Sequence, residues 1–247
     1  MWPTRVKPSV LVIARHGTWL LEPGTGPQAL TESASGFASL SEAVEALQGA
    51  IERRVGRLAK PSVHALIEDD WLRLFGETWP GSIRTVELFR KFAEARFAQR
   101  FGAVATDWRI VTPGAWPKRS TLCMAVPKRQ IEQLNELMAA AGRQLVRMVP
   151  WSIAEFESVV IDDKREALFV SSAGPFRTAL LSRSGWLCDA AVLPNSEHTA
   201  ELARSVFERR NGPVSLDLRS VEIEVPRSQA ITYVLDGMPL PVKGAVR

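Results

Sequence analysis

An α/β fold of mixed sheets, built from two halves that repeat one order of elements, is what this sequence predicts, and three observations carry the prediction. A short, continuous apolar run such as 9–14 has the length and composition of a strand covered on both faces. Apolar residues at three- and four-residue steps mark amphipathic helices between the strands. The succession of three strands, a helix and a strand occurs twice, and the helix ends match: Ile51, Glu52, Arg53, Arg54, Val55 and Gly56 in one, Phe207, Glu208, Arg209, Arg210, Asn211 and Gly212 in the other. The expected halves are 1–150 and 151–247, the first carrying an additional aromatic-rich segment over 63–108.

The first strand, 9–14, turns at Arg15, His16 and Gly17 into a second at 18–22. Pro23, Gly24, Gly26 and Pro27 break the pattern, and 28–36 is a third strand or a polar loop. A helix follows from Ser39 or Ser41, with Leu40, Val44, Leu47, Ile51, Val55 and Leu58 on one face, closed by Pro61. Residues 63–68 and 71–75 then read as a hairpin joined through Asp69 and Asp70, since β-branched and aromatic residues flank turn formers. From Ser82 onward Val86, Phe89, Ala93, Phe97 and Phe101 line one face of a helix that Gly102 ends, and this aromatic stripe reads as core. Trp71, Arg73 and Trp79 are the residues whose exposure decides whether the segment is surface or interior.

Residues 109–112 form the next strand and 113–119 a loop with two prolines. The strand at 121–126, the helix at 128–141 and the strand at 144–149 have lengths that suit a right-handed crossover within one parallel sheet. A short helix over 153–158 leads to the second half, where strands are expected at 166–172, 176–181 and 186–193, a helix at 196–210 and a strand at 212–218. One further apolar run, 230–235, precedes a tail rich in Pro, Gly and Lys.

Hydrophobic residues at 46% and charged residues at 23% are ordinary for a folded chain of 247 residues, which excludes wholesale disorder. A net charge of +4 and a pI near 9.4 raise nucleic-acid binding, but the basic residues are dispersed among acids, as in 162–165, which describes a mixed solvated surface and no phosphate-binding stripe. Cys123 and Cys188 sit in apolar runs as small hydrophobes, without the spacing of metal ligands. No apolar segment of about 18 residues or secretory signal is present, so the expectation is a cytoplasmic protein that reaches a membrane only through a partner.

Doubled mixed sheets with crossover helices are what an actin-like, RNase H-like fold offers, and its chemistry would sit at the turn after the first strand of each half, where backbone amides hold phosphates and an acid holds a metal. Here those turns are 14–18 and 171–175, and neither contains an acid. If a nucleotide binds, Arg15, Gly17, Thr18, Ser172 and Gly174 are the residues to hold it, ATP with Mg being the expected ligand; Arg15 suits a phosphate or a nearby carboxylate equally. The missing acids argue against ATP hydrolysis of the usual kind and against two-metal nuclease chemistry. His16, His64 and His198 are too dispersed for a metal site, Asp69 and Asp70 read as turn acids, and no GxGxxG, GxxxxGK[ST], GxSxG or HExxH signature occurs. No cofactor and no catalytic or metal-binding residue is assigned.

The central stretch carries a resemblance. Leu66 through Arg73 with its acids, Trp79 and Pro80, Arg96 and Phe97, Phe101 and Gly102, Trp108, the strand ending Met124, Ala125, Val126 and Pro127 before a long helix, and Gly142, Arg143, Gln144 and Leu145 leading to Val149 and Pro150 resemble the cytoplasmic actin-like proteins of bacterial type IV pilus and type II secretion machines, the PilM family and the cytoplasmic part of GspL. The resemblance implies a non-catalytic scaffold of the assembly platform at the inner membrane, binding the cytosolic segment of a membrane subunit, with the assembly ATPase as a further partner. Members of the PilM kind carry a nucleotide, and the alternative it implies is a nucleotide-binding actin-like ATPase of the same machinery; the acid-free turns resemble the GspL kind. The loop with Trp116 between prolines is the expected partner-binding position.

Overall fold

The computed structural model describes residues 8–22, 27–52, 62–112, 119–157, 166–171, 176–184, 186–196, 198–212, 219–223 and 242–243. The chain divides into two compact units, one made of Met1–Trp71 and Lys128–Trp151, the other of Leu72–Pro127 and Ser152–Arg247. The expected halves change over near the same residue, 151, and differ from these units in the segment Leu72–Pro127.

In the first unit β1 (Ser9–Ala14), β2 (Gly17–Leu21) and β3 (Gln28–Glu32) form an antiparallel meander, and helix α1 (Leu40–Glu52) crosses over to β4 (Ser62–Ile67), which lies parallel to β1. Helix α3 (Lys128–Ala140) returns the chain to β8 (Gln144–Pro150), parallel to β4, giving the order β3-β2-β1-β4-β8. Every residue of β1 is buried, as a central strand with both faces covered requires.

In the second unit β9 (Ala167–Ser171), β10 (Phe176–Arg183) and β11 (Trp186–Pro194) form the equivalent meander, α5 (Thr199–Asn211) follows, and β12 (Arg219–Ile223) lies parallel to β9. With β13 (Val242–Lys243) the order is β11-β10-β9-β12-β13, the same third-second-first-fourth-fifth succession as in the first sheet. Only the last pairing differs, β12 with β13 being antiparallel. Phe207 and Ala203 of α5 pack on Leu168, Val170, Ala179 and Leu181 to form this sheet's core.

The same unit holds a third sheet, β5-β7-β6, from β5 (Arg73–Thr78), β6 (Trp108–Val111) and β7 (Ser120–Pro127). Helix α2 (Val86–Phe101) covers it. Thr85 caps that helix, its hydroxyl accepting from the Leu88 amide at 3.2 Å, and Gly102 ends it at φ 71°, a conformation that suits a residue without a β-carbon. Phe89, Ala93 and Phe97 are buried against Phe75, Trp79, Ile110 and Cys123, and Trp79 stacks on Phe89 at 4.6 Å. The expected stripe is therefore core at its centre; Val86 and Phe101, at its ends, are exposed. Trp71 and Trp79 are buried, and exposed Arg73 lies over the Trp108 ring at 5.5 Å.

Two expected pairings are corrected. Residues 63–68 and 71–75 do not form a hairpin: β4 has β1 on one edge and β8 on the other, leaving β5 nothing to pair with there, and a 3-10 turn at Asp69–Trp71 sends the chain into another sheet. Likewise β7, α3 and β8 are not one crossover, because β7 has both edges filled antiparallel by β5 and β6 while β8 takes the open edge of β4. The expected strand 212–218 and the apolar run 230–235 lie outside the described residues apart from Gly212, which ends α5.

Candidate functional site

Parallel pairing of β1 with β4 brings the carboxyl ends of two strands side by side, with Ile13 opposite Ile67. The next residues therefore meet: Arg15, in the β1–β2 turn, contacts Glu68 and Asp70. Strand ends of this kind are where α/β sheets place ligands. Here they hold one another.

Glu68 is 3% exposed, and its Oε2 accepts the hydrogen bond of the Arg15 backbone amide. The Glu68 amide in turn donates to the Ile13 carbonyl at 3.1 Å. The Arg15 guanidinium forms an ion pair with Asp70, the carboxylate being the one of its two expected partners that the chain supplies. The far side of the turn is tied by Phe37, whose amide donates to the Arg15 carbonyl at 2.6 Å, and by Ser33, whose amide donates to the His16 carbonyl at 3.2 Å. Thr18 is buried with its hydroxyl 2.7 Å from that of Thr31, and a β-carbon on Gly17 would lie 2.6 Å from the Thr31 carbonyl oxygen. Gly17 thus serves the close approach of β3, and Arg15, Gly17 and Thr18 are brought together in one internally bonded turn.

In the second unit Ser171, the last residue of β9, is buried and its hydroxyl donates to Oε2 of Glu155, itself buried on α4 (Trp151–Glu157). Ser172 and Gly174 lie outside the described residues, as does Trp116. An internal carboxylate thus meets the end of the first strand in each unit: Glu68 for β1 and Glu155 for β9. Asp69 and Asp70, expected as the turn acids of a hairpin, instead sit in a 3-10 turn after β4, and neither Glu68 nor Glu155 is among the expected site residues. For Glu68 the available signal is an acid directly after an apolar strand that follows a crossover helix, since such a strand ends beside the first strand's turn; Glu155, within α4, carries no such signal.

Among the described residues no group of three or more His, Cys, Asp and Glu side chains could hold a metal ion. Burial pushes the Cys123 and Cys188 thiols up to about 12. Burial, and secondarily the Arg147 guanidinium, hold His64 below the ordinary imidazole value. No described helix is long and apolar enough to cross a membrane.

No protein-family model matches the chain, and no curated protein matches it. Solved structures do. The cytoplasmic domain of EpsL, an inner membrane component of the type II secretion system of Vibrio cholerae, is similar with a TM-score of 0.56 at 11% identity, over 93% of this chain and 93% of that one. A chain of the PilM–PilN type IV pilus biogenesis complex is similar with a TM-score of 0.54 at 14% identity, over 85% of this chain and 67% of that one. A Bacteroides thetaiotaomicron protein with an actin-like ATPase fold and unknown function is similar with a TM-score of 0.53 at 12% identity, over 97% of this chain and 91% of that one. The chain has an actin-like fold, as the doubled sheet order and the expected class both require.

Proposed function

We propose that this actin-fold chain is a non-catalytic scaffold of a type II secretion or type IV pilus assembly platform, binding the cytosolic segment of a membrane subunit on the cytoplasmic side of the inner membrane. The machinery is suggested by the two likenesses whose names state it, one an inner membrane secretion component and one a pilus biogenesis complex. The non-catalytic part rests on one observation: the buried Glu68 carboxylate accepts the Arg15 amide at the first turn. In a nucleotide-binding member that amide would be offered to a phosphate. An anion already supplied by the chain satisfies the donor and repels a second anion in a site of low dielectric. The assembly ATPase is proposed as a further partner, and no cofactor is needed for either contact.

Thermal melts of the full chain with and without Mg-ATP test the first claim. A ligand confined to the native state at 100 times its Kd stabilises by about 2.7 kcal/mol, or roughly 5–10 °C in a chain of this size. The expected shift is nil, and a saturable rise would favour the nucleotide-binding ATPase instead. Co-purification with the cytosolic segment of the membrane subunit encoded in the same gene neighbourhood tests the second claim. Retention is expected; clean separation at low salt overturns it.

A further inference from the structure

We infer that a three-arginine pocket in the second unit is a docking site for an acidic segment of a protein partner. The pocket has a volume of about 340 Å³ and is bordered by Arg96 and Arg100 of α2 and Arg210 of α5, with Glu77 and Asp189 beneath them and Phe92 on one wall. Three cations face two anions.

The anions are already provided for. Asp189 is buried and accepts from the Gly76 amide at 2.7 Å, the Ala190 amide at 2.8 Å and the Asn211 side chain at 2.8 Å, so Arg210 stands off at 3.5 Å. Glu77 is buried and takes Arg100 at 2.9 Å, leaving Arg96 at 3.5 Å. Arg96 also donates to Gln99 Oε1 at 2.9 Å and Arg210 to the Ala190 carbonyl at 3.1 Å; each bond uses part of a five-donor fork, and both side chains are 44% exposed. A guanidinium presents five N–H donors in a planar fork that matches a carboxylate, and the buried acids fix where those forks stand.

Two observations favour a peptide carboxylate over a free phosphate. Phe92 gives the pocket an apolar wall, and Leu88, one helical turn earlier on α2, is 50% exposed, so an apolar strip runs into the cationic one. The arrangement fits a segment bearing an apolar residue one to two turns from two or more Asp or Glu residues. The inference rests on the partner-binding reading above for its setting and adds where and by what chemistry the partner is held. Its failure leaves the membrane-subunit experiment standing, because that experiment uses the whole segment and the unaltered chain.

The probe is a short fluorescein-labelled helical peptide with one Leu followed by Glu residues at the fourth, seventh and eighth positions after it, titrated with the full chain and followed by anisotropy. Saturable binding that weakens with salt is expected, with roughly tenfold loss, about 1.4 kcal/mol, on replacing the peptide's Glu by Gln. The same loss is expected for the chain carrying R96A and R210A, while R90A, on α2 outside the pocket, binds as wild type. If the alanine variant melts early, R96K with R210K keeps the charge and removes the fork, and a smaller weakening is expected. Absence of saturation, equal binding by a folded double variant, or inorganic phosphate displacing the peptide at equal concentration overturns the proposal.

Discussion

Replacing Glu68 by Ala removes the carboxylate that holds the first turn, and its cost follows from what the side chain touches. Glu68 is 3% exposed, so deletion leaves the Arg15 amide facing a cavity with no acceptor in place of Oε2. A hydrogen bond to a charged group contributes about 1.5–3 kcal/mol, and orphaning its buried partner falls in the same range. The backbone bonds of Glu68, to Ile13 and from Trp71, survive the change, so the loss is confined to the side chain. We expect E68A to destabilise by about 2–3 kcal/mol, which at a typical urea slope near 2 kcal/mol/M lowers the midpoint by roughly 1–1.5 M. E68Q keeps an acceptor but not the charge and should lose about half as much. Urea unfolding followed by tryptophan fluorescence measures both. An E68A midpoint equal to that of wild type, with an unchanged slope, would refute the claim that this carboxylate holds the turn.

Gly76→Ala should destabilise by about 3 kcal/mol or more, because the new β-carbon would lie 2.5 Å from the Cys188 carbonyl oxygen and 2.8 Å from the Asp189 carboxylate; Gly81→Ala, with nothing within 4 Å, is the neutral control in the same melt. Neither thiol should react with a disulfide reagent at pH 8 in the folded chain, and both should react in denaturant, since each is buried and pushed up to about 12. Between pH 9, the ordinary value, and about 12 the native state keeps thiol protons that the unfolded chain has released, so stability falls as pH rises through that window. C123S with C188S, melted over the same range, should flatten that fall.

The repeated order of strands and helices was legible from periodicity, and it matches the two five-stranded sheets in their shared succession. Helix ends were legible too: Gly102 and Gly142 stop α2 and α3 at positive φ, a property of the residue itself. The aromatic stripe over Phe89, Ala93 and Phe97 announced a buried face for the same local reason. Partner choice was not legible. β4 and β5 are neighbours in sequence with strand-like composition, and no local signal tells a hairpin from two strands that leave for different sheets.

What the sequence determined by itself is therefore what depends on residues within a turn or two of each other: which stretches carry strand or helix periodicity, where α2 and α3 stop, and that the pattern occurs twice. What only the tertiary structure decided is what meets across long separations. Glu68 reaches Arg15 across 53 positions because β1 and β4 lie parallel and end together. Asp189 reaches the Gly76 amide across 113 positions because β5 and β11 pack in one unit. Both contacts are made by a buried carboxylate with a backbone amide, and every residue but proline has such an amide, so the sequence around Arg15 or Gly76 carries no mark of the acid that will find it.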